Sequence, residues 1–123
     1  MVRIQTIYVN HLSTAGAPYA ALTIAENMKD DDFQARLLGI AAEKGLEFKS
    51  YTCAIKRPLN ALAYKFLSQS TLNQITEAKY LRQLNLGDIA YIWPNASERL
   101  YQKAKEKAKL VIRENINCHQ FLS

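Results

Sequence analysis

Short apolar runs alternate with longer amphipathic segments along the chain, and this alternation predicts the secondary structure. Residues 2–9 are rich in apolar and β-branched side chains and are followed by a polar loop, which is typical of a buried strand. Two further short runs, residues 89–93 and 109–113, also predict strands. Residues 46–52 alternate between apolar and polar side chains, which predicts a short strand near a sheet edge.

Other segments carry apolar side chains at helical spacing. The pattern predicts a first helix over residues 18–28 and a last helix over residues 98–108. A long helical region is predicted over residues 58–86, with a break at 68–71. Thr71, which has a glutamine three residues later, matches the capping-box spacing for the start of the second part.

Residues 33–40 allow two alternatives, a second strand or a helix that reaches Lys44 and is capped by Gly45. We favour the strand, because a chain that leaves one helix in this pattern usually returns to the sheet. The order of elements is then strand, helix, strand, strand, helix, strand, helix, strand. This order predicts an α/β fold with a mostly parallel sheet and helices on both faces, formed by one domain over residues 1–123.

Composition narrows the class of protein. The chain has 123 residues, 49% of them hydrophobic and 22% charged, as expected for one globular domain. No apolar run reaches the roughly 18 residues that span a bilayer, and the amino terminus lacks the pattern of a signal peptide. Cys53 and Cys118 lie far apart in the sequence, so we expect free thiols in a reducing cytoplasm.

The net charge of +5 is concentrated in a lysine-rich segment, residues 103–109, with Arg99 nearby. One alternative is a solvated helix face. The other is attraction to the headgroups of an anionic membrane or to phosphorylated ligands. We expect no nucleic-acid partner, because no recognition-helix, zinc-finger or aromatic RNA-binding signature accompanies the lysines.

Three polar loops follow predicted strands, at residues 11–18, 93–97 and 114–120. If the strands are parallel, the loops meet at one edge of the sheet, where open α/β sheets bind ligands. Gly16 lies just before a predicted helix, so it either lets a phosphate approach the helix amides or forms an ordinary turn. Neither the dinucleotide fingerprint nor the Walker loop is present, and we expect no cofactor.

Single residues in these loops also have two interpretations each. Glu114 and His119 are candidate acid–base groups or partners of substrate hydroxyls. Alternatively, Glu114 forms an ion pair with Arg113 or Arg99, and His119 is a loop histidine. Trp93 is either a core residue or a platform on which a sugar ring stacks. No metal site is expected, because the adjacent residues Cys118 and His119 point apart in an extended segment.

Three segments resemble glycosyltransferases of the two-domain GT-B fold, in particular family 4. They are the strand, loop and helix around residues 13–18, the acidic residue and apolar run of 87–93, and the strand followed by a histidine at 110–119. The resemblance covers nearly the whole chain. It implies a Rossmann-like three-layer sandwich in which Gly16 lies near the donor phosphates and His119 contacts substrate near the reaction centre.

The resemblance also implies a carboxyl-terminal domain, absent from these residues, that binds a sugar nucleotide. The chain is therefore interpreted as the acceptor-side portion of a glycosyltransferase, inactive alone, whose partners are a nucleotide-sugar donor and a glycosyl acceptor. The alternative function is a flavodoxin-like binding module without catalysis. The predicted catalytic residues are His119 and Glu114, and the predicted substrate-binding residues are Gly16, Thr14, Trp93, Asn95 and Asn117.

Overall fold

The structure, a computed structural model, describes residues 2–28, 32–43, 45–55 and 60–114. In chain order its elements are β1 (Val2–Ile7), β2 (His11–Leu12), α1 (Gly16–Asn27), β3 (Phe33–Gly39), β4 (Ala41–Ala42), β5 (Tyr51–Cys53), α2 (Asn60–Phe66), α3 (Gln69–Gln83), β6 (Ile89–Ile92), α4 (Glu98–Lys107) and β7 (Leu110–Arg113). Within these ranges, no helix combines the length and the apolar character that a membrane crossing requires.

The main sheet has five strands in the order β5-β3-β1-β6-β7, and every neighbouring pair is parallel. Because the first strand is central, the chain builds one side of the sheet through β3 and β5 and then the other through β6 and β7. Helix α1 packs on one face through Leu22 and Ala25, whereas α3 and α4 pack on the other through Leu72 and Leu100. The predicted Rossmann-like α/β sandwich is therefore confirmed.

The strand alternative for the segment after α1 is confirmed, because that segment forms β3. The strand predicted over residues 46–52 is wrong for most of its length, since only its last two residues belong to β5. The N–H groups of Lys49 and Ser50 donate to the carboxylate of Glu26 on α1, at 3.2 and 3.1 Å. Because the Glu26 carboxylate accepts from these two N–H groups, they do not pair with a neighbouring strand, and residues 45–50 form a loop.

The predicted long helical region is divided into α2 and α3, as the break at residues 68–71 indicated. The capping box predicted at Thr71 is wrong, because Ser68 is the N-cap and its hydroxyl accepts from the Thr71 N–H at 3.2 Å. Ser68 has an extended backbone, whereas Thr71 already lies within α3. Helix α1 begins at Gly16, so Pro18 lies inside its first turn, where a missing N–H leaves no intrahelical bond unmade.

Gly39 ends β3 directly against Leu12, which is fully buried. A Cβ atom at Gly39 would lie 2.5 Å from Cγ of Leu12 and 2.8 Å from each of its δ carbons. We expect Gly39→Ala to lower the free energy of unfolding by about 1–3 kcal/mol, because a packed core must shift to admit the methyl group. Urea unfolding followed by circular dichroism measures this loss.

The matched control is Gly87→Ala, since a Cβ atom there would have no neighbour within 4 Å. This replacement should change the free energy of unfolding by less than about 1 kcal/mol. Equal losses for the two variants would contradict the close approach of Leu12 to β3.

Candidate functional site

The loops that follow β1 and β6 lie at one edge of the sheet together with Glu114, directly after β7, because the three strands are parallel. Strands β1 and β6 are neighbours, yet the chain leaves β1 towards α1 on one face and β6 towards α4 on the other. Diverging loops leave a crevice between two such strands, and ligands of open α/β sheets bind there. The candidate site therefore lies beyond the carboxyl ends of β1 and β6.

A short second ladder extends β1 and β3 beyond this edge. Strands β2 and β4 are parallel, and the N–H of Ile40 donates to the carbonyl of Asn10 at 2.9 Å. The N–H of Glu43 donates to the carbonyl of Leu12, also at 2.9 Å. The side chain of Glu43 then accepts from the Thr14 N–H at 3.0 Å. The loop before α1 is thus held by the extended strands.

Helix α1 begins without a side-chain cap. Its N-cap residue, Ala15, has no oxygen in its side chain, and Gly16 has a φ of +68°. Glycine adopts this angle without steric strain, so Gly16 turns the loop into the helix. The side chain of Ala15 therefore caps none of the N–H groups in the first turn of α1. In the loop just before the helix, the Thr14 N–H donates to the carboxylate of Glu43.

Trp93, which follows β6, is packed between two tyrosines. Its ring centroid lies 5.6 Å from that of Tyr8, and 5.8 Å from that of Tyr91, whose ring is nearly parallel to it. Only 2% of Trp93 is exposed, so its rings have no open face for a sugar, and the packing alternative describes this residue. Its Nε1–H has no hydrogen-bond partner in the described part of the chain.

Glu114, directly after β7, is held from two directions. Its N–H donates to the carbonyl of Ile92 at 2.8 Å, and its carboxylate accepts from the hydroxyl of Tyr91. The expected pair with Arg113 is not formed, since Arg113 pairs with Glu98 at 2.9 Å. Burial, and then the hydrogen bond and the charge of Glu114, raise the pKa of Tyr91 above its ordinary value. Tyr91 therefore remains a protonated donor at neutral pH.

A cavity of about 500 Å³ lies beside the amino-terminal part of α1. It is lined by Thr14, Tyr19, Glu26, Gly45, Glu47 and Phe48. The rings of Tyr19 and Phe48 meet edge to face, with their centroids 5.9 Å apart. Among the described residues of the lining, two carry carboxylates and none is basic. Aromatic walls with a few polar groups are typical of sites for small molecules.

Asn95 lies in the loop after β6, exposed, with a φ of +82°. Asparagine tolerates this left-handed conformation better than most residues, so a turn-forming role accounts for it. Asn117 and His119 lie outside the described residues, and their roles stay predictions. The topology brings Gly16, Asn95 and Glu114 to the same edge of the sheet.

The described ranges contain no group of three His, Cys, Asp or Glu side chains that could share a metal ion. His11, on β2, instead contacts the ring of Tyr64 edge to face, with the centroids 6.0 Å apart. This contact places α2 beside the loop that follows β1.

The lysine-rich segment, residues 103–109, lies partly on α4. The ammonium of Lys107 donates to the carbonyl of Leu81 on α3, and that of Lys105 lies 5.4 Å from the ring centroid of Tyr101. Two of the lysines thus make contacts within the fold, which favours the alternative of a solvated helix face. Contact with an anionic membrane stays a prediction.

Comparison with known proteins adds no identification. No family model matches the chain, and searches of curated proteins and of solved structures find no significant match. The class of protein is therefore defined by the fold and the site, a Rossmann-like α/β sandwich with a candidate ligand site at the carboxyl edge of its sheet.

Two parts of this site were not predicted from the sequence. Tyr91 lies in an apolar strand and gives no sign of its bond to Glu114, because the two residues meet only when β6 and β7 pair. Phe48 was assigned to a strand, and its contact with Tyr19 depends on the loop that covers α1. The available signal was the adjacent acidic and aromatic pair, Glu47 and Phe48, in a polar segment.

Tyr91→Phe should make the stability of the protein less sensitive to alkali. The folded chain holds the Tyr91 pKa above its value of about 10 in the unfolded chain, so the unfolded chain loses a proton that the folded chain keeps. The free energy of unfolding therefore falls above about pH 10, by at most about 1.4 kcal/mol per pH unit for this group. Without the Tyr91 hydroxyl, this contribution to the fall of the unfolding free energy should be lost. Urea unfolding at a series of pH values measures the difference.

Burial also raises the pKa of Tyr80, so the variant should show a shallower decline and not a flat profile. The control is Gly87→Ala, which removes no titratable group and should keep the slope of the unchanged protein. Equal slopes for Tyr91→Phe and the unchanged protein would contradict the assigned donor.

Proposed function

We propose that the chain is the acceptor-side portion of a sugar-nucleotide-dependent glycosyltransferase of the GT-B fold, similar to family 4. The observation that carries the proposal is the cavity between α1 and the loop of residues 45–48. The parallel strand order, with a loop and helix after the central strand, agrees with the domain that the sequence resemblance implies.

The lining of the cavity suits a carbohydrate. The rings of Tyr19 and Phe48 offer an apolar wall against which the C–H face of a sugar ring packs. The carboxylates of Glu26 and Glu47 are acceptors for sugar hydroxyls, and the hydroxyl of Thr14 adds a donor and an acceptor. A sugar has no net charge, and a few polar groups on an aromatic wall are sufficient to orient it.

Electrostatics assign this side of the site to the acceptor and not to the donor diphosphate. Three carboxylates, those of Glu26, Glu43 and Glu47, lie around the cavity and the loop before α1. Negative charges at these positions repel a phosphate, although the amides at the start of α1 would otherwise attract one. Gly16 thus contributes the turn into α1, and contact with the diphosphate is assigned to the donor-binding domain.

In the reaction, a hydroxyl of the acceptor attacks the anomeric carbon of the donor sugar. A carbon–oxygen bond forms there, and the bond from that carbon to the diphosphate oxygen breaks. Tyr91 fixes the carboxylate of Glu114 at the carboxyl edge of the sheet. There the carboxylate either orients the acceptor hydroxyl or accepts its proton. His119 remains the proposed residue that contacts substrate near the reaction centre. The proposal places the reaction in the cytoplasm.

Sugar binding should depend on the aromatic wall. Saturation-transfer NMR with methyl glycosides of glucose, mannose, galactose and N-acetylglucosamine should detect binding of at least one of them. Phe48→Ala should weaken that binding roughly fivefold, since an aromatic contact contributes about 1 kcal/mol. Glu47→Gln, which keeps the shape of the side chain, should weaken it as well.

The matched control is Phe33→Ala, which removes a partly exposed ring at the start of β3, at the opposite edge of the sheet. This variant should retain the signal. Absence of binding by the unchanged protein, or equal loss in the Phe33 and Phe48 variants, would contradict a sugar site in the cavity.

The 123-residue chain by itself should not transfer sugar, because the proposal assigns binding of the nucleotide to a second domain. Incubation of the purified chain with UDP-glucose or GDP-mannose and the bound glycoside, followed by mass spectrometry, checks this expectation. A glycosylated product would contradict the division of the site between two domains.

A further inference from the structure

The amino-terminal half of β1 is polar on the face that α3 covers. Arg3 lies opposite Gln34 of β3, and Gln5 lies opposite Arg36. Side chains two residues apart share a face of a strand, and the next one on this face, Ile7, belongs to the core beneath α3. Parallel strands with helices on both faces are normally apolar along their length, so core packing does not explain these residues.

A cavity of about 390 Å³ lies over these four side chains. Its other wall is formed by Arg82 and Gln83 at the end of α3 and by Asn85. The hydroxyl of Tyr80 donates to the carbonyl of Gln5 at 2.6 Å, which holds α3 against β1 beside the cavity. The volume lies within the range of about 300–1,000 Å³ that small-molecule sites occupy.

Three arginines line this cavity, and the structure neutralises one of them. Arg3 pairs with Asp88 at 3.1 Å, and Asp88 also accepts from the Asn85 N–H at 2.9 Å. Neither Arg36 nor Arg82 has an ion-pair or hydrogen-bond partner within the ranges that the structure describes. The cavity therefore carries an excess of positive charge.

The side chain of Gln5 adds a polar group to the same cavity. The residue is 9% exposed and lines the cavity, and its side-chain amide makes no hydrogen bond to the described residues. The amide atoms are open to the cavity and not sealed from solvent, so they are accessible to a ligand. The arrangement thus places an accessible amide beside unpaired guanidinium groups.

We propose that this cavity binds a small molecule that carries a phosphate group, at a site separate from the carboxyl edge of the sheet. Guanidinium groups match the oxygens of phosphate with paired hydrogen bonds, and the three glutamines and the asparagine provide donors and acceptors for the rest of the molecule. A cavity of this size admits a metabolite and not the backbone of a polymer. The proposal does not depend on the glycosyltransferase proposal.

Titration calorimetry with pyrophosphate tests the site. It should be done at about 0.15 M NaCl, where the Debye length of about 8 Å limits diffuse attraction to a basic protein. The unchanged protein should bind pyrophosphate saturably. Arg36→Gln and Arg82→Gln should each weaken binding about tenfold or more, because each removes charged hydrogen bonds to the ligand. Arg3 is left in place, since its loss would strand Asp88.

The matched control is Arg99→Gln, which removes the same charge from an exposed position of α4 outside this cavity. Its affinity for pyrophosphate should equal that of the unchanged protein. Amide NMR spectra of each variant verify the fold, and pyrophosphate should shift resonances of β1, β3 and the end of α3. Absence of saturable binding, or equal losses in all three variants, would overturn the proposal.

Discussion

The parallel pairing of β1 with both β3 and β6 is the constraint on which the rest of the structure depends. Because the first strand is central, the chain must leave it on one side and return on the other, and separate helices cover the two faces. The loops after β1 and β6 diverge as a result and leave the crevice of the candidate site. The same register places Arg3 beside Gln34 at the other end of the strand.

Strand β1 therefore serves two chemically different regions. On the face towards α1, Ile4 belongs to the core, and on the face towards α3, Ile7 at the carboxyl end belongs to the core. Earlier on the face towards α3, Arg3 and Gln5 line the basic cavity. The bond from Tyr80 to the Gln5 carbonyl fixes α3 on β1 between the two regions.

Three glutamates of the described residues hold loops. Glu43 binds the amide of the loop before α1, Glu26 binds two amides of the loop before β5, and Glu77 binds both the N–H and the hydroxyl of Ser97. The chain has 11 acidic and 16 basic side chains, so carboxylates committed to loops are not available to neutralise arginines. This distribution leaves Arg36 and Arg82 without ion-pair partners in the described part of the chain.

The sequence by itself determined the α/β class, the central strands and the helices, because the spacing of apolar residues reports the local secondary structure directly. It also contained the polar alternation at Arg3 and Gln5, but not the position of α3 over it. Tertiary structure alone decided that residues 45–50 form a loop, since Glu26 takes up their amides, and that Tyr91 donates to Glu114. These contacts join segments that are distant in the chain, and no local pattern encodes which partner a side chain will meet.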